Sequence, residues 1–163
     1  EDKKGELTLN DLKEDYESLR VRHNLPSFKE LNEDFMIEKL SSIESDYLIR
    51  GIRHCIAEKF LNYLRWIETI LNPQQSSLFM YSLIKSVTPE QKKRLAEIYW
   101  QLCKDELLLI ELDTLYVEEK EIKFVKEFYL SWKDLSKELA EIVNELYKSI
   151  DSKKEKNNNG YFG

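Results

Sequence analysis

Between residues 6 and 159 this chain has one glycine, Gly51, and three prolines, Pro26, Pro73 and Pro89. Glycine supplies positive φ without strain and proline pre-sets turns, so a chain this poor in both has few places to reverse tightly. Gly-rich phosphate loops, G-x-G-x-x-G dinucleotide turns and G-x-S-x-G nucleophile elbows need several glycines close together and are excluded. Type I′ hairpins also favour Gly, which disfavours a β-sandwich or meander. A charged fraction of 34% beside 42% hydrophobic residues then points to long amphipathic helices with solvated outer faces.

The prolines fall at the joints between such helices. Leu9, Leu12, Tyr16, Leu19 and His23 recur at intervals of three and four, which predicts a helix over 8–23, ended by Leu25-Pro26. Ser27 with Glu30 predicts a capping box and a short helix over 27–33; Phe35-Met36-Ile37 is too short to assign. The longest stripe, Ile49, Ile52, Ile56, Phe60, Tyr63, Ile67 and Ile70, predicts a helix over 45–72, opened by Ser45 or Asp46 and closed by Asn72-Pro73. Gly51 lies inside it, at a cost of up to about 1 kcal/mol relative to Ala, and is read as a point where a neighbouring helix comes close.

A short amphipathic segment then runs to Val87, and Thr88-Pro89-Glu90-Gln91 opens a helix whose stripe Leu95, Tyr99, Leu102, Glu106 and Ile110 carries it to 110. A break between 110 and 118 is preferred to one continuous helix, because Glu118, Glu119 and Glu121 suit the positive end of a new helix dipole. The last helix, over 118–150, turns Phe124, Phe128, Trp132, Leu135, Leu139, Ile142 and Leu146 inward. Residues 151–163 have no apolar periodicity and are expected to form a disordered polar tail. The expected fold is all-α: a single-domain helical bundle over 1–150, of about four long helices plus two short ones.

The net charge of −6 is uneven, with 12 acids and 7 bases in 1–44 and 9 acids and 5 bases in 89–121. No segment has the positive excess that counterion release from a nucleic-acid backbone requires, so nucleic acid is disfavoured as a partner. Cys55 and Cys103 lie in apolar helical surroundings without a C-x-x-C partner, which suits two buried thiols in a reducing compartment. No apolar run of about 18 residues and no charged-then-apolar leader occurs, so no membrane span or signal peptide is predicted and no membrane partner is expected. The chain begins at Glu1, which leaves a trimmed leader open.

The residues that carry chemistry form no catalytic set. His54 shares a helix face with Arg50, Glu58 and Arg65 opposite the apolar stripe, which predicts a solvated face where Glu58 pairs with His54. His23 stands beside Asn24, where an imidazole complements a helix C-terminus. Neither histidine has an acid three residues before it, and His-Glu-x-x-His is absent, so no metal residue is assigned. Cys55 and His54 are helix neighbours that point about 100° apart and do not form a nucleophile pair.

Lys59 and Glu106 interrupt apolar stripes. A charge buried alone is costly, so they are read either as a buried pair or as the lining of a polar pocket. Arg50, Arg53, His54 and Arg65, with Lys92-Lys93-Arg94, are candidates for a basic patch that meets an acidic partner or a nucleic-acid backbone, although the acidic flanks oppose long-range attraction. Trp132 belongs to a core stripe, while Trp66 and Trp100 lie toward helix flanks, where an aromatic either caps a core or anchors a partner. Tyr161 and Phe162, between Gly160 and Gly163, tip the tail and are candidates for a short docking motif.

The arrangement Leu25-Pro26-Ser27-Phe28-Lys29-Glu30-Leu31-Asn32, then Leu71-Asn72-Pro73, then terminal Tyr161-Phe162-Gly163 resembles that of uncharacterised helical proteins from archaeal genomes. The resemblance implies a cytoplasmic protein and carries no activity or functional residue. The residues themselves favour a non-enzymatic adaptor or scaffold that binds another protein. The alternatives are a small-ligand bundle or enzyme with a polar pocket at Lys59 and Glu106, and local nucleic-acid contact through Arg50, Arg53, His54 and Arg65. No catalytic residue, cofactor or metal is assigned.

Overall fold

A computed structural model of the chain describes residues 8–42, 47–74 and 77–158. These residues are mainly helical, with no strand among them: α1 (Leu9–His23), α2 (Phe28–Phe35), a 3-10 helix (Ile37–Ser42), α3 (Leu48–Leu71), α4 (Leu78–Ile84), α5 (Pro89–Thr114) and α6 (Glu118–Asn158). Three helices are long, with 24 residues in α3, 26 in α5 and 41 in α6, while α1 has 15.

The expected helix starts are built as their side chains dictate. Ser27 accepts from the Glu30 amide while the Glu30 carboxylate accepts from the Ser27 amide, and Thr8 and Asp11 repeat this at α1. At α5 the Gln91 amide donates to Thr88 Oγ1 over 3.2 Å and Gln91 Oε1 accepts from the Thr88 amide over 2.9 Å. The unassigned Phe35-Met36-Ile37 is a reversal: Met36 caps α2 in the left-handed region at φ 54°, and the chain re-enters a 3-10 helix. The caps proposed for α3, Ser45 and Asp46, lie outside the described residues.

The end of α6 differs from the expectation. Residues 151–158 continue the helix rather than forming a disordered tail. They bring no apolar stripe, but lysine and glutamate, which make up most of 153–156, are good helix formers. Tyr161 and Phe162 lie outside the described residues.

The chain is divided between two compact units, Glu1–Leu61 with Asp105–Ser131, and Asn62–Lys104 with Trp132–Gly163. In the first, Phe128 is the centre of an aromatic cluster, with ring centroids 5.0 Å from Phe60, 5.6 Å from Phe124 and 6.2 Å from Phe35. Tyr16 is fully buried there and its hydroxyl donates to the Pro26 carbonyl over 2.6 Å, which fastens the α1–α2 turn. Gly51 lies under the 3-10 helix, where an added Cβ would meet Leu40 Cδ2 at 3.1 Å. The close neighbour expected at this glycine is therefore Leu40.

In the second unit Ile67, Ile70, Leu95, Leu102, Leu139 and Ile142 form the core, and Trp132 packs on Tyr63 at 5.5 Å. Its flank is ionic: Arg94 Nε donates to Glu138 Oε1 over 3.0 Å and Gln91 Nε2 donates to Glu145 Oε2 over 2.8 Å.

Candidate functional site

Among the described residues, a dense group of charges lies in the first unit, where α3 meets the turn from α5 to α6. Arg53 occupies a position on the apolar face of α3, three residues before Ile56 and four after Ile49, and is buried to 1% exposure. Glu121 occupies the same kind of position on α6, ahead of Phe124, Val125 and Phe128, and is fully buried. Arg53 Nε lies 2.5 Å from Glu121 Oε2, but its N–H is not directed along that line, and neither carboxylate oxygen accepts a hydrogen bond. The pair is held by charge and contact, so it depends on the low local dielectric around it.

The remaining groups close the cluster toward solvent. Arg53 Nη2 donates to Asp113 Oδ1 over 2.6 Å, and this bond holds the Asp113 carboxyl below the usual carboxylate range. Arg50 Nη2 donates to the Leu112 carbonyl over 3.2 Å, its Nε lies 3.6 Å from Glu121 Oε1, and its guanidinium lies 5.4 Å above the Tyr116 ring. Tyr116 packs on Tyr47 at 4.4 Å, and burial raises its phenol pKa. Arg53 Nη2 also approaches His54 Nε2 at 3.2 Å; because arginine has only donors, Nε2 accepts and the imidazole proton belongs on Nδ1. Partial burial first, and then the neighbouring Arg53, push the His54 pKa down.

Two arginines face two carboxylates here, so the cluster neutralises itself. It fastens the α5–α6 turn to α3 and offers no free cation pair to an anion. Of the residues proposed for a basic patch, Arg53 is therefore enclosed, Arg50 is occupied and half-buried, and His54 remains exposed. Arg65 is exposed in the second unit. Glu58 pairs with Lys39 of the 3-10 helix rather than with His54. Lys59 and Glu106, read as a buried pair or pocket lining, are both half-buried, and Lys59 donates to the Asp34 carbonyl. A groove of about 610 Å³ between α1, α2 and the 3-10 helix, floored by Phe28, is lined by neither. Cys55 is buried, which raises its thiol pKa, whereas Cys103 is half-buried rather than buried. No group of three metal-ligating side chains occurs among the described residues.

Another surface stands out by exposure. Leu107 is 68% exposed, Ile110 57%, and Leu115, just beyond α5, 68%. Leu109 and Leu112 on the same helix are buried, so α5 is apolar on both its inner and outer faces at this end. Trp100, 65% exposed in the second unit, is a surface aromatic, unlike Trp132. By spacing Ile110 belongs to the expected core stripe of its helix, and no spacing singles out Leu107. Compared with known proteins, the chain matches no family model, no curated protein and no solved structure.

Proposed function

We propose that the protein is a cytoplasmic, non-enzymatic adaptor that works as one helical-bundle module and binds another protein through the C-terminal end of α5. The observation that carries this reading is the exposed aliphatic pair Leu107 and Ile110, one turn apart on a helix whose other side already fills a core. Soluble proteins rarely leave neighbouring large apolar side chains in water without a partner to cover them. The exposed Glu111–Lys120 pair, 2.7 Å apart, gives this surface a charged rim of the kind that borders protein interfaces.

The test is a native pull-down with wild-type protein and with the double variant Leu107→Glu/Ile110→Glu. Proteins retained by the wild type and lost from the variant, with equal melting temperatures, support the reading. Equal retention by both baits, or none by either, refutes it.

A further inference from the structure

Helix α4 exposes apolar side chains in several directions. Leu78 is 91% exposed, Phe79 65% and Tyr81 53%, with Met80 half-buried between them and Leu83 buried below. Successive helical side chains diverge by about 100°, so Leu78, Phe79 and Tyr81 leave the first turn bare around most of its circumference. A protein groove takes a stripe at i, i+3 and i+4. A turn that is bare on several sides instead fits a medium that closes around it.

The charge pattern agrees. Residues 69–89 contain no aspartate or glutamate, and residues 69–93 carry Lys85, Lys92 and Lys93 against Glu90 alone, a local +2 in a chain of −6. Lys85 Nζ lies 4.6 Å over the Tyr81 ring. The order is therefore an aliphatic and aromatic tip, followed within two turns by tyrosine and lysine. Interfacial segments are layered this way, with apolar side chains among acyl chains, tyrosine at headgroup depth and lysine snorkelling to phosphate. No described helix is long and apolar enough to cross a membrane.

We propose that the first turn of α4 inserts reversibly into the interface of an anionic lipid membrane, as a contact separate from the protein-binding surface on α5. This goes beyond the expectation of no membrane partner, which rested on the absence of a span; lying on a bilayer makes different demands from crossing it. The net negative charge of the chain keeps the association weak and favours approach by the locally positive α4 segment.

Flotation of the whole chain with vesicles of phosphatidylcholine and phosphatidylserine tests the proposal. Wild-type protein should rise with the vesicles, and Leu78→Ser/Phe79→Ser should lower the association constant by about tenfold or more at unchanged melting temperature. Lys85→Glu should give a smaller loss, and Leu107→Glu/Ile110→Glu should float like the wild type, so the two proposals fail independently. Wild-type protein that stays with the aqueous fraction overturns the proposal, as does equal flotation of the Leu78/Phe79 variant. Sedimentation showing self-association that this variant abolishes, without vesicle binding, would also overturn it by assigning the tip to a second copy.

Discussion

Arg53 and Glu121 bury opposite charges without an aligned hydrogen bond between them; Glu121 faces Arg53 and Arg50, and Arg53 also holds Asp113. Glu121→Gln leaves Arg53 with Asp113, at the solvent edge, as its remaining carboxylate and should cost about 3 kcal/mol, whereas Arg53→Met/Glu121→Leu should recover most of that loss; chemical denaturation of the three proteins measures both. His54 adds a pH dependence. Its folded pKa is depressed, so its contribution to stability is complete above the unfolded value of about 6.5 and is lost as pH falls from there through the folded value. Melting temperatures recorded from neutral pH into the mildly acidic range should fall for wild type and fall less for His54→Gln.

Both members of the buried pair lie on spacings visible in the sequence, Arg53 between Ile49 and Ile56, and Glu121 ahead of Phe124 and Phe128. By residue type, however, Arg53 belongs with the surface bases Arg50 and Arg65, and Glu121 with Glu118 and Glu119 at a helix start. Residue type outweighed position there, because only the partner element makes a buried charge tolerable.

At the scale of elements, period carries most of the information. All seven inward residues expected on the last helix, from Phe124 to Leu146, are buried, as are Ile49, Ile52, Ile56, Phe60, Ile67 and Ile70 on α3. On α5 the stripe slips by one residue: the core takes Leu95, Ile98, Leu102, Leu109 and Leu112, leaving Tyr99 and Glu106 half-buried and Ile110 in water. Leu107-Leu108-Leu109-Ile110 is apolar at every phase, so periodicity cannot choose a side, and the surface proposed to bind a partner was hidden in the run that blurred it. The break after α5 was legible from the glutamates that follow, although the helix persists to Thr114. Gly51 offers a test of packing between elements. Gly51→Ala alone should change stability little, because the gain in helix propensity is offset where the new methyl meets Leu40; in a Leu40→Ala background the same change should stabilise by about 1 kcal/mol. A thermal double-mutant cycle reads the difference.

For the whole molecule, the important fact is how the chain is shared. α3, α5 and α6 each contribute residues to both compact units and are each continuous in their hydrogen bonding. Loss of either unit frays three helices that the other also uses, so thermal unfolding should be a single transition with equal calorimetric and van't Hoff enthalpies. Two resolved transitions would show that the units melt separately.

The same sharing restricts how the protein can change over generations. The units alternate along the chain, with junctions after Leu61, Lys104 and Ser131. A single recombination joint leaves each parent's contribution with only part of at least one unit. Replacing one unit whole requires all three joints together.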